Sequence, residues 1–308
     1  MVDDWLNIAL RVALYVDMAA LFGVALFGVY ALHTNERMSG IAQRYIVFGR
    51  VTAFVGMVLS LCLMAVMAKA MSGAQDYGEL SAHVFEMILT GTHMGQAWSV
   101  RIVALGVCIL MTVLKLNPRL RFLGLAGASG IALSTLAWAG HGAMDDGIRG
   151  YIHLSTDIAH LWAAGAWVGA LAAFLMLAVT RKVSVRGSVE ILSRTSTGFA
   201  SIGTLIVATL IVTGIVNYLL IVGPSLAPLF TTLYGRLLLG KLTLFVGMLC
   251  LAAANRYRLS PKLELSLTTG NSSQAAAILR KSLLMESMLA ICVLASVAWL
   301  GVLSPVAV

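Results

Sequence analysis

The chain has 308 residues, 60% of them hydrophobic and only 11% charged, with a mean hydropathy of +0.93. So little polar surface excludes a soluble globular domain of this length. The formal net charge of +8 would point to nucleic acid in a soluble protein; here the basic residues sit in short connections between apolar runs, which gives them a topogenic role and excludes that partner.

Apolar runs of about 20 residues recur along the whole chain, each long enough to cross a hydrocarbon core of roughly 30 Å. They are continuous rather than alternating, so they predict helices. In chain order the expected spans are 6–32, 48–71, 98–116, 121–140, 152–179, 198–222, 234–254 and 284–303. The expected fold is all-α: a polytopic membrane protein whose eight transmembrane helices form one bundle over residues 1–308. The N-terminus, Met1-Val2-Asp3-Asp4, is acidic and its apolar run lacks a small-residue cleavage site, which argues against a removable signal peptide. Cys62, Cys108, Cys250 and Cys292 all lie inside apolar runs with no CxxC pair, as buried small hydrophobes rather than disulfides or a zinc site. No internal repeat stands out.

The connections alternate in charge. The first carries Arg37, Arg44 and Arg50; the third Lys115, Arg119 and Arg121; the fifth Arg181, Lys182, Arg186 and Arg194; the seventh Arg256, Arg258, Lys262, Arg280 and Lys281. Fifteen of the 21 Lys and Arg residues therefore share one side, which the positive-inside rule makes cytoplasmic. Asp3, Asp4, Asp76, Glu79, Glu86, Asp145 and Asp146 lie on the other. Both termini then face outward. The polar stretch at 259–283 is expected to be a cytoplasmic loop.

That orientation makes the histidines informative. Five of the six, His83, His93, His141, His153 and His160, fall on or near the outer face, and only His33 lies at the inner one. Met64, Met67 and Met71 recur at i, i+3 and i+7 towards the outer end of the second span, and Met94 lies in the outer connection after it. Imidazole and thioether together suit copper, thioether favouring Cu(I). The ordinary reading of a methionine stripe is packing. The sharpest constellation is His153, Asp157 and His160 at i, i+4 and i+7, one face of one helix. His141, in Trp138-Ala-Gly-His141, closes the fourth span just before the short connection into the fifth. The candidate metal site is therefore His141, His153 and His160, with Asp157 as ligand or support and His83 or His93 reaching in. Ligation needs neutral imidazole, so binding should weaken as pH falls through the usual histidine range, about 6 to 7. The competing reading pairs Asp157 with Arg101 or Arg149.

Arg11, Asp17 and Lys241 are further charges within spans, expected to face the interior as mutual partners or a relay. No phosphate-binding glycine loop, nucleophile elbow or HExxH occurs, so no enzymatic activity is expected.

Trp138-Ala-Gly-His141, then His153-x3-Asp157-x2-His160 and Ala164-Gly165-Ala166-Trp167-Val168-Gly169, resembles the central region of the copper resistance protein D family (CopD/PcoD) of bacterial inner membranes. Thr90-Gly91-Thr92-His93-Met94-Gly95-x2-Trp98-x2-Arg101 is also similar to that family, as is Tyr234-Gly235-Arg236-x3-Gly240-Lys241 with Asn255-Arg256 and Pro261. The resemblance runs from about residue 5 to the C-terminus, with 192–303 resembling the copper resistance D domain. It implies an eight-helix protein that moves copper from periplasm to cytoplasm, alongside a separate periplasmic copper-binding protein of the CopC type. Two other readings stay open: a b-type haem cytochrome, and a non-transporting copper receptor or assembly partner.

Overall fold

The computed structural model describes residues 2–140, 147–179, 185–269 and 272–303. Backbone polar groups cannot go unpaired in hydrocarbon, and the apolar runs answer by coiling into helices throughout. In chain order these are α1 (Val2–Tyr30), a single turn α2 (Thr34–Arg37), α3 (Gly40–Ser72), α4 (Ala82–Gly91), α5 (His93–Val113), α6 (Pro118–Ser134), α7 (Gly147–Ala178), α8 (Val185–Ile221), a single turn α9 (Pro228–Thr231), α10 (Leu233–Ala254), α11 (Ser260–Thr269) and α12 (Ser272–Leu300). A 3-10 turn, Thr135–Ala139, extends α6, and a π-turn, Asn255–Leu259, joins α10 to α11. Eight helices among the described residues are long and apolar enough to cross a membrane.

Polar residues punctuate the chain where helices begin. The Ser39 hydroxyl caps α3, Asn117 followed by Pro118 opens α6, and Thr92 and Thr232 cap α5 and α10 by accepting from Gly95 and Gly235 N–H, each at 2.9 Å.

All eight expected spans are present, but several helices outrun their apolar runs. The second starts at Gly40, the sixth at Val185 and the eighth at Ser272. The expected loop at 259–283 is mostly helix: α11 fills 260–269 and α12 begins at 272. A helix satisfies its own backbone whether lipid or water surrounds it, so polarity does not end it. Cys108 is buried, whereas Cys62, Cys250 and Cys292 lie on the outside of the bundle as free thiols.

The centre of the bundle is the pair α1 and α7. Their contact is glycine on glycine: a Cβ added to Gly23 would fall 2.0 Å from Gly165 O, and one added to Gly169 would fall 2.1 Å from Gly23 Cα. Small residues let the two backbones touch, which is how helices associate without a hydrophobic drive between them. Met18, Leu21, Phe27, Tyr45, Phe122 and Leu133 fill the core around this pair. Around it α3 packs on α5 and α5 on α6 to one side, while on the other α10 packs on α12 and α8 lies against α7 and α11. The N-terminal end of α1 and the C-terminal end of α12 meet edge to face through Trp5 and Trp299, with ring centroids 5.8 Å apart, so both lie at the same end of the bundle.

At the opposite end, Arg194 of α8 donates to Glu36 Oε2 (2.6 Å) and to Ala31 O (3.2 Å), and its guanidinium stands 3.2 Å from His33 Nε2. His33 therefore belongs to the contact that ties α8 to the α1–α3 connection.

Candidate metal centre

The site is built on α7. His153 is fully buried, 1% exposed, while Asp157 and His160 are partly buried on the same side of the helix. Helix α8 supports both of the latter. Asn217 Nδ2 donates to Asp157 Oδ1 at 2.5 Å, and His160 Nδ1 lies 2.8 Å from Thr213 Oγ1. The Thr213 hydroxyl donates its own proton to Thr209 O at 2.6 Å. Nδ1 must then be the donor to Thr213, and Nε2 carries the lone pair. An imidazole fixed through one nitrogen with the other left as acceptor is the arrangement that orients a metal-ligating histidine.

The surroundings add charge. Lys241 of α10 lies within electrostatic reach of both Asp157 and His160. Gly140, at the end of the 3-10 turn, comes close: a Cβ built there would sit 4.0 Å from Asp157 Oδ2. His141 follows directly and lies outside the described residues.

Other expected members are placed elsewhere. His83 is exposed with its Nδ1 3.9 Å from Glu86 Oε2, and His93 is exposed at the start of α5. His83 is in the first turn of α4 and His93 opens α5, each on the exposed side of its helix where the imidazole keeps its hydration. Among the described residues no three His, Cys, Asp or Glu side chains converge on one point. Asp157 does not pair with Arg101 or Arg149. Arg101 donates to Thr135 Oγ1 (2.8 Å) and O (3.4 Å), and Arg149 donates to Leu220 O (2.7 Å).

Arg11, Asp17 and Lys241 are not mutual partners. Arg11 donates to Asn7 Oδ1 (3.3 Å) and Gly301 O (3.5 Å), and Lys241 lies within electrostatic reach of Asp157 on another helix. Asp17 faces the bundle interior as expected, 9% exposed and close to Gly56, and its Oδ2 accepts no hydrogen bond. A helix places a side chain every 100°, so Arg11 and Asp17, six positions apart, point in different directions.

The methionines divide. Met64, Met67 and Met94 line a cavity of about 190 Å³ together with Asn7, Arg11, Tyr15, Trp98 and Arg101. Met71 is 59% exposed and stands outside it.

Three supporting residues escaped the sequence reading. Thr213 and Asn217 are polar, four apart in an apolar span, and therefore share one face; that spacing was the available signal. Glu286 is 2% exposed, with Trp167 Nε1 donating to Oε1 and Asn255 Nδ2 to Oε2, both at 2.7 Å. It borders a second cavity, about 260 Å³, towards the π-turn.

Comparison with known proteins agrees with this architecture. The family described as "Copper resistance protein D-like, N-terminal domain" matches residues 1–151, and that described as "Copper resistance protein D" matches 193–300. The chain is 45% identical over 304 residues to "Copper resistance protein D" of Pseudomonas syringae pv. tomato, covering 98% of each chain. It is 30% identical over 261 residues to "Inner membrane protein YebZ" of Escherichia coli (strain K12), covering 83% of this chain and 85% of the relative. No solved structure matches it. With an all-helical bundle of eight candidate spans and near full-length similarity to one such protein, the chain belongs to the copper resistance protein D family.

Proposed function

We propose that the chain carries copper inward across a bacterial inner membrane, taking the ion from the periplasmic side and catalysing no reaction. Its first binding site is His153, Asp157 and His160 of α7 with His141 from the adjoining connection. Both termini are periplasmic, the basic connections are cytoplasmic, and a separate periplasmic protein of the CopC type supplies the metal. Family membership supports the cargo, the relative named as an inner-membrane protein supports the location, and the asymmetry of basic residues supports the orientation.

The observation that carries the site is the Thr213–His160 contact. A helix interior spends a hydroxyl on holding one imidazole tautomer, which leaves Nε2 with a lone pair to give. Neutral imidazole beside a carboxylate suits a copper ion. A haem held between two histidines needs imidazoles on facing helices. The histidines buried or partly buried in the described spans, His153 and His160, share one helix.

The test is His153→Ala and His160→Ala, made separately, with copper bound per purified protein as the readout. A fall for each with helix content unchanged is the expected result. Full copper binding by the double variant would refute the site. Uptake into sealed vesicles of known orientation tests the direction, and a haem absorption band from the purified protein would refute the copper reading.

A further inference from the structure

The two halves repeat one order of landmarks, with α1, α3 and α5 answered by α7, α8 and α10, although α3 lies against α5 while α8 lies against α7 and α11, and no repeat stands out in the sequence. Gly73 (φ 71°) follows the last residue of α3 directly and Gly223 (φ 92°) stands two residues beyond the end of α8, both at positive φ. Helices α5 and α10 each start from a threonine cap, Thr92 and Thr232, followed three residues later by a glycine. A Cβ on Gly95 or Gly235 would fall 2.0 or 2.1 Å from a carbonyl of the short preceding helix. Helices α1 and α7 meet at Gly23 and Gly169.

Counting from these landmarks superimposes two sites. Asn7, Arg11 and Leu14 precede Gly23 by the same 16, 12 and 9 residues as His153, Asp157 and His160 precede Gly169. Leu63 and Met67 precede Gly73 by the same 10 and 6 residues as Thr213 and Asn217 precede Gly223. Met94 and Arg101 follow Thr92 as Tyr234 and Lys241 follow Thr232, at 2 and 9 residues. Every one of these first-half residues lines the 190 Å³ cavity, and the second-half set is the His153–Asp157–His160 site with its supports and Lys241.

We propose that this first-half cavity, walled by Met64, Met67 and Met94, is a second metal site that takes Cu(I), the internal counterpart of the histidine site. Its identity as a copper site rests on the copper reading above; its location does not. Three thioethers from two helices offer soft, neutral donors, which prefer Cu(I) to Cu(II). The guanidiniums of Arg11 and Arg101 are pinned to the wall, by Asn7 and Gly301 O and by Thr135. Their charge opposes any cation in the cavity, and a divalent one about twice as strongly, so of the two copper ions Cu(I) is the less penalised. Tyr15 lines the cavity and also lies within electrostatic reach of Asp157, so the two sites adjoin across α1.

The experiment loads the purified full chain with Cu(I) under reducing conditions. It counts copper per protein and reads the ligand shell by X-ray absorption. The wild type should hold two coppers, one with a sulfur shell. The volume-conserving variant Met64→Leu/Met67→Leu/Met94→Leu should lose one copper and all sulfur scattering. His153→Ala/His160→Ala should lose the other copper and keep the sulfur shell. Copper on the wild type without sulfur scattering overturns the proposal, and that measurement decides even where the triple variant fails to fold. A sulfur shell that survives the triple variant overturns it equally. If no copper binds to the wild type, both this site and the copper reading fall.

Discussion

His160 is held by a hydroxyl and not by a charge. Thr213→Val keeps the shape of the side chain and removes the acceptor for Nδ1–H. Loss of such support costs about 10- to 100-fold in metal affinity, so copper titration of Thr213→Val should show a drop of that size with folding intact. Glu286 poses the opposite case. Glu286→Leu strips the acceptor from two donors at once, the Trp167 indole and the Asn255 amide. Each buried donor left unsatisfied costs about 1–3 kcal/mol, so the variant should unfold at clearly lower temperature in detergent. Asp17 has an oxygen with no partner, so Asp17→Asn breaks no ion pair and should melt no lower than the wild type. A marked fall in melting temperature would show a partner that this geometry lacks.

Among the elements, the α1–α7 contact is the most sensitive to a single carbon. Gly23→Ala puts a methyl group against the backbone of Gly165 and Gly169, where neither neighbour has a side chain to move. Overpacking of this kind costs about 1–3 kcal/mol. Gly106→Ala in α5 meets nothing within 4 Å and serves as the control. Thermal unfolding of the two variants should separate them, with Gly23→Ala lower and Gly106→Ala at or above wild type. The same contact joins the two halves of the bundle, so its loss should also reduce copper binding at the α7 site.

For the whole molecule, the charge pattern and the helix count must agree. A reporter fused at residue 188 and one fused at the C-terminus should report opposite sides of the membrane, cytoplasmic and periplasmic. The same side for both would break the topology. Arg194, bound to Glu36 and Ala31 O at the end of the bundle away from Trp5 and Trp299, shows one basic residue of these connections doing structural work.

The eight spans and their alternating connections were legible because hydrocarbon imposes a length and a composition on every crossing helix. The face formed by His153, Asp157 and His160 was legible because helical spacing is fixed by the backbone. What the sequence left undetermined was anything that depends on a neighbour. Polar stretches such as 260–269 proved helical because a helix needs no lipid to satisfy its backbone. Asp17 and Arg11 proved to have separate surroundings because six positions of helix turn them to different sides of α1, and Lys241 because α10 carries it towards Asp157 of α7. Asn217, Thr213 and the methionine-lined cavity gain their meaning only when α8 lies against α7 and α5 against α3, since through-space distance, not separation along the chain, decides which donor meets which acceptor.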